Sequence, residues 1–186
     1  MKLLEIHSDG ESYTSELISL YKEAFPPEEK KPWELMEQLY EEKKMEILAI
    51  VEDDIFLGLA VNMLHGEYAL LDYFAIAKEK RESGYGSRAI RKLQERFAGK
   101  KYILEIELPL PDADNLPERI RRKSFYLRNG LKETHVYANV YQTDFELLTP
   151  DGVLSYVEYI SFLQGILGKK WLEFLNPSEL YDVKPV

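Results

Sequence analysis

Residues 81–87 read Arg-Glu-Ser-Gly-Tyr-Gly-Ser and lie between a hydrophobic strand-like run and an amphipathic helical pattern. This junction constrains the chain more than any other feature. Gly84 and Gly86 carry no Cβ, so the backbone there can approach a bound anion closely. A following helix aims its unpaired N–H groups and the positive end of its dipole at the same point. A phosphate or pyrophosphate suits such a junction.

Two patterns fit the string. Gly84-Tyr85-Gly86-Ser87-Arg88-Ala89 satisfies the dinucleotide pattern GxGxxG/A, with Glu107 near the acidic position expected downstream. The spacing argues against it. A dinucleotide fold turns directly after its strand, whereas here residues 77–83 intervene between the strand Tyr68–Ile76 and Gly84. The glycines also follow an antiparallel hairpin pattern in mid-chain.

Arg81-x-x-Gly84-x-Gly86 instead resembles the R/Q-x-x-G-x-G/A signature of the GNAT superfamily of N-acetyltransferases. The strand-like Leu71-Asp72-Tyr73-Phe74-Ala75-Ile76 precedes it, and Leu104-Glu105-Ile106-Glu107 follows the helix as a second strand. Ser124-Phe125-Tyr126-Leu127-Arg128-Asn129-Gly130-Leu131 is similar to the FYxxxGF helix end of that family. Three motifs in the right order over residues 45–148 make the resemblance far more specific than a glycine string alone.

The remaining pattern agrees with a mixed α/β (α+β) chain. Met1–His7 alternates weakly as a strand, and residues 12–25 carry Leu17, Leu20, Tyr21, Ala24 and Phe25 at helical spacing. Pro26-Pro27 stops that helix, and Pro32 opens a second with Leu35, Met36, Leu39 and Tyr40 on one face. Met45–Val51 and Ile55–Met63 form a hairpin through Glu52-Asp53-Asp54, and Tyr68–Ile76 extends it. Tyr102–Leu108, Leu131–Val140 and Asp144–Leu148 read as strands, with a helix over 117–128 stopped at Asn129-Gly130. From Gly152 the tail predicts a helix burying Leu154, Val157, Ile160 and Leu163. The resemblance implies the GNAT fold: a mostly antiparallel central sheet of about six to seven strands flanked by helices, in one domain over 1–186 with a C-terminal helical extension from 152.

Composition narrows the function. A formal charge of −9 opposes general binding to nucleic acid or an anionic membrane. Lys78, Lys80, Arg81, Arg88, Arg121, Arg122 and Lys123 still gather around the proposed cofactor segments, although solvated helix faces are the favoured explanation for most of them. The absence of cysteine excludes disulfides, thiolate metal sites and a cysteine nucleophile. His7, His65 and His135 show no metal-ligand spacing. No apolar run approaches about 18 residues and no signal peptide opens the sequence, so a cytoplasmic protein is expected.

The resemblance implies acetyl-CoA as co-substrate, lying in an opening between the strands equivalent to Tyr68–Ile76 and Tyr102–Leu108. Main-chain groups of Phe74, Ala75 and Ile76 would pair with the pantetheine arm. The Arg81–Ser87 loop, with Ser83, Gly84, Tyr85, Gly86 and Ser87, would hold the pyrophosphate, Arg81 adding charge or bracing the loop. Tyr126 falls where many members carry a tyrosine near the thioester sulfur, and would give a proton to the departing thiolate. A core tyrosine is the alternative. Asp72 and Glu105 are the candidate bases for the amine, with Glu107 third, although a polar face toward an open cleft explains Glu105 and Glu107 as well.

Pro109–Lys123 departs from the family pattern, and Asn115 cannot be matched to its usual asparagine. Phe25-Pro26-Pro27-Glu28-Glu29 maps to the acceptor wall, where Glu28 and Glu29 attract a cation or form a solvated turn, the latter favoured. The expected reaction is direct attack by a primary amine of a small molecule on acetyl-CoA in a ternary complex. The alternatives are a protein or peptide N-terminus as acceptor, or a non-catalytic acyl-CoA sensor using Trp171, Phe174 and Tyr181 as a partner surface. Oligomeric state stays open, a homodimer included.

Overall fold

The computed structural model describes residues 1–140 and 142–185; Tyr141, Val186 and the side chain of Glu28 lie outside the described residues. Contacts gather the chain into two compact units, one of Met1–Leu64 with Ala69–Gly99, the other of His65–Tyr68 with Lys100–Val186.

The first unit is built around a hairpin. β2 (Met45–Glu52) and β3 (Ile55–His65) meet through Asp53 and Asp54, both left-handed at φ +51° and +58°. Two left-handed residues in a two-residue loop match the right-handed twist of the strands they join. β1 (Lys2–Glu5) runs antiparallel to β2, and β4 (Tyr68–Ile76) follows β3 in the order β1-β2-β3-β4. In β2 the run Ile47–Val51 is buried without alternation, the mark of a strand covered on both faces. α1 (Thr14–Ala24) buries Leu17, Leu20 and Tyr21, and α2 (Trp33–Glu41) buries Met36 and Leu39. α3 (Tyr85–Arg96) buries Ala89, Ile90 and Leu93, one stripe at 3.6-residue spacing.

In the second unit β5 (Lys101–Glu107), β7 (Thr143–Thr149), β6 (Lys132–Val140) and β8 (Ser178–Glu179) are neighbours in that order, each pair antiparallel. α4 (Leu116–Arg128) ends at Asn129, with Gly130 left-handed at φ +93°. α5 (Tyr156–Leu167) opens with a capping box: Ser155 accepts from the Glu158 N–H while the Glu158 carboxylate accepts from the Ser155 N–H. α6 (Lys169–Leu175) follows.

The mixed, mostly antiparallel fold is the one expected, with two differences. The described residues contain eight strands rather than six or seven, the additional one being the two-residue β8. The buried stripe of α5 is Tyr159, Phe162, Leu163 and Ile166, while Val157 is 72% exposed.

Candidate active site

Of the cofactor residues proposed from sequence, Phe74–Ile76 and the Arg81–Ser87 group fall together in the first unit, and Tyr126 lies in the second. Phe74, Ala75 and Ile76 end β4; the backbone then makes a short 3-10 turn at Lys78–Lys80 and reaches α3 through Arg81–Gly84. Glu82 and Gly84 are both left-handed, at φ +64° and +76°. They turn the chain so that Tyr85, Gly86 and Ser87 form the first turn of α3. The Arg88 N–H donates to the Gly84 carbonyl at 3.1 Å and opens the helical ladder. The N–H groups of Gly84–Ser87 therefore precede the helical ladder. No side chain caps this end, and a Cβ built on Gly84 meets nothing within 4 Å. The junction is open and lined with backbone donors, which fits a pyrophosphate.

Arg81 donates from Nε to the Ile76 carbonyl at 3.0 Å, fastening the loop to the end of β4, and Ser83 Oγ lies 3.4 Å from the Arg81 carbonyl. Arg88 forks onto both carboxylate oxygens of Glu52 at 2.7 Å, and its guanidinium stands 5.0 Å from the Tyr85 ring centre. Gly58, which the sequence reading passed over, sits where a Cβ would strike the Ala75 carbonyl oxygen. Only a glycine lets β3 lie this close to the end of β4.

Asp72 lies upstream on β4 and accepts from Lys31 Nζ at 2.8 and 2.9 Å. Lys31 belongs to the segment between α1 and α2. Its N–H donates to the Tyr73 hydroxyl at 3.0 Å, and the Tyr21 hydroxyl donates to its carbonyl at 3.0 Å. Tyr73 in turn donates to the Glu29 carbonyl at 2.7 Å. Rings of Tyr21, Phe25, Trp33 and Tyr73 surround this segment with centroid separations of 4.9 to 6.1 Å. Burial pushes the phenols of Tyr21 and Tyr73 well above the ordinary tyrosine range, so both stay neutral donors. The proposed role of Glu28 rests on a side chain outside the described residues; Glu29 is exposed.

The second unit holds Tyr126 and Glu105. Tyr126 is half-buried near the end of α4, its ring edge-on to Phe125 at 5.2 Å. Burial raises its phenol to about 12, against a smaller opposing effect of Arg122. Glu105 accepts from the Tyr159 hydroxyl of α5 at 2.6 Å. Glu107 is shared by Arg119 and Arg122 of α4 at 2.9 and 2.8 Å, and Arg119 also bonds Asn115.

Sequence reasoning missed a buried ionic cluster here. Glu146 of β7 is wholly buried, with Lys123 Nζ 2.9 Å from Oε2 and 3.2 Å from Oε1, and only the longer contact has hydrogen-bond geometry. Lys123 also stands 2.6 Å from Glu133. Burial pushes Glu146 above the ordinary carboxylate range, while the hydrogen bond from Lys123 pulls Glu133 below it. No periodicity signals such a cluster, because its members come from three elements. Among the described residues no group of His, Asp and Glu suits a metal ion, and no helix is long and apolar enough to cross a membrane.

Comparison with solved structures gives the same architecture. A GNAT-family protein from Bacteroides thetaiotaomicron matches with a TM-score of 0.71 and 22% identity, over 91% of this chain and 99% of that one. An aminoglycoside 6'-N-acetyltransferase solved with coenzyme A matches with a TM-score of 0.61 and 17% identity, over 80% and 96%. Its counterpart from Enterococcus faecium matches at 0.58 and 16%, over the same shares. At these identities the likeness shows the fold. Comparison with curated proteins finds no match. A sequence model of the acetyltransferase (GNAT) family matches residues 14–121, more than half of the chain and the whole stretch from α1 through β4, the glycine junction and α3 to β5. With the uncapped, open junction between β4 and α3, that match places this chain in the GNAT family of acetyltransferases.

Proposed function

We propose that the chain, an acetyl-CoA-dependent acetyltransferase as a member of that family, takes as acceptor a primary amine of a small molecule, which attacks the thioester directly in a ternary complex. The observation that carries this reading is the setting of Asp72, whose carboxylate pairs with an ammonium, Lys31 Nζ, that lies beside the Tyr73 ring, the surroundings that suit an alkylammonium group. The N–H groups of Gly84–Ser87 bind the pyrophosphate, Arg81 keeps the loop on β4, and the backbone of Phe74–Ile76 takes the pantetheine arm. Asp72 receives the proton that the amine must lose, with Glu105 the second candidate for that task. Tyr126, neutral at working pH, supplies a proton to the departing thiolate. No nucleophilic side chain is needed; positioning does most of the work.

Calorimetric titration with acetyl-CoA, beside NAD and a Gly86→Glu variant, tests the donor half. Binding of acetyl-CoA that the variant loses is expected. A folded protein that binds NAD but not acetyl-CoA would overturn it. Thiol release across a panel of small amines and peptides tests the acceptor half, and turnover of peptides alone would exclude the small-molecule reading.

A further inference from the structure

Asp72 already holds an amine, and it belongs to the chain. Lys31 Nζ bridges both oxygens of Asp72 and lies 5.2 Å from the Tyr73 ring centre. Its backbone is held on both sides, the N–H by Tyr73 and the carbonyl by Tyr21, so the side chain is aimed rather than free to wander. The Lys31 side chain keeps 25% of its exposure and Asp72 only 9%. The ammonium is therefore sheltered without being sealed off.

Position along β4 adds a second line. Alternation puts Asp72, Phe74 and Ile76 on one face of the strand. A donor anchored at the glycine junction, beyond the C-terminal end of β4, and running back along Phe74–Ile76 brings its acyl end toward Asp72. Amine, carboxylate and acyl donor then converge on one strand.

We propose that Lys31 is itself an acetylation site of this enzyme, modified in the same chain when no external amine takes its place beside Asp72. The inference rests on the acetyl-CoA reading given above. In the step, the Lys31 ammonium passes a proton to Asp72 and its freed lone pair attacks the thioester carbonyl carbon. A C–N bond forms and the C–S bond breaks. The sulfur leaves as thiolate and takes up the second proton shed by the nitrogen. The products are acetyl-lysine, free CoA thiol and the proton held on Asp72. The amide carries no charge, so the modified Lys31 no longer pairs with Asp72.

The test is incubation of the full chain with acetyl-CoA and no acceptor, followed by intact mass and peptide mapping, with acetyl-CoA binding measured calorimetrically on the same sample. Lys169, whose side chain is 81% exposed, reports the purely chemical background. The expected result is labelling of Lys31 at least tenfold faster than Lys169, to one acetyl group per chain. Its rate per molecule is independent of protein concentration, and it is lost in Lys31→Arg and strongly slowed in Asp72→Asn. Acetyl-CoA binding with Lys31 labelled no faster than Lys169, or equally fast in Asp72→Asn, would overturn the proposal and leave the acetyltransferase reading standing. No acetyl-CoA binding would overturn both.

Discussion

Glu105 and Glu146 leave the β5–β7 ladder on opposite faces. Glu105 stands across from Leu147 and Glu146 across from Ile106, and cross-strand partners share a face while neighbours along a strand do not. Each carboxylate is claimed by a different helix: Glu105 by Tyr159 of α5, Glu146 by Lys123 of α4. Lys123 sits one turn before Tyr126, so the helix carrying the proposed acid is tied to the face of Glu146.

Replacing Tyr126 with phenylalanine therefore removes a proton donor and leaves the fastening of α4 in place. Turnover is expected to fall by about 10²-fold or more, with acetyl-CoA affinity nearly unchanged. With the phenol raised to about 12, the wild-type rate shows no alkaline loss from this group up to about pH 10. Steady-state kinetics and titration of the variant check both, and an unchanged kcat removes Tyr126 from the chemistry.

Lys123→Met strips the cation from a buried carboxylate, which costs about 3–5 kcal/mol when the charge stays. The pKa of Glu146 is already raised in the folded chain, so its contribution to stability is fully present below the ordinary carboxylate value and is lost as pH rises through the folded one. The variant raises that pKa further. Urea unfolding is expected to show a larger deficit at about pH 8 than at about pH 4. Equal deficits at both would mean that the charge of Glu146 is irrelevant.

Glu158 behaves in the opposite sense. Hydrogen bonds from Ser155, then Lys101, lower its carboxyl to about 2. Its stabilisation is present above the unfolded value and disappears as pH falls toward about 2. Glu158→Gln is expected to melt earlier than the wild type at neutral pH, the gap closing on acidification below about pH 4. Melting curves that stay parallel down to about pH 2 would contradict this.

Gly84→Ala tests the junction itself. A left-handed alanine costs about 1–2 kcal/mol, and because its Cβ meets open space the loss is conformational rather than a clash. A fall in Tm of a few degrees is expected, together with weaker acetyl-CoA binding. Unchanged Tm and affinity would show that neither folding nor binding needs the left-handed turn.

Much of this was legible in the chain. Asp53-Asp54 between two apolar runs announces a hairpin, and Pro26-Pro27 ends α1 as it must. The motif string around Gly84 and Gly86 marks the proposed donor site because backbone chemistry there is local. In the tail Leu154 and Leu163 are buried as expected but Val157 is not, because the capping box at Ser155 and Glu158 sets the start of α5 and packing turns Tyr159, Phe162, Leu163 and Ile166 inward. The pairings Lys31–Asp72 and Lys123–Glu146 were illegible, since long-range partners between a loop or helix and a strand leave no period to read.

The bond from Arg81 to the Ile76 carbonyl has a consequence for donor choice. By riveting the glycine junction to the end of β4, it fixes the span between the point proposed to take a pyrophosphate and the strand proposed to take the arm. The pair works as a ruler. On that proposal, thioesters differing in the acyl group leave the span untouched, whereas donors whose pantetheine is shortened or lengthened by a single unit are expected to miss one end or the other.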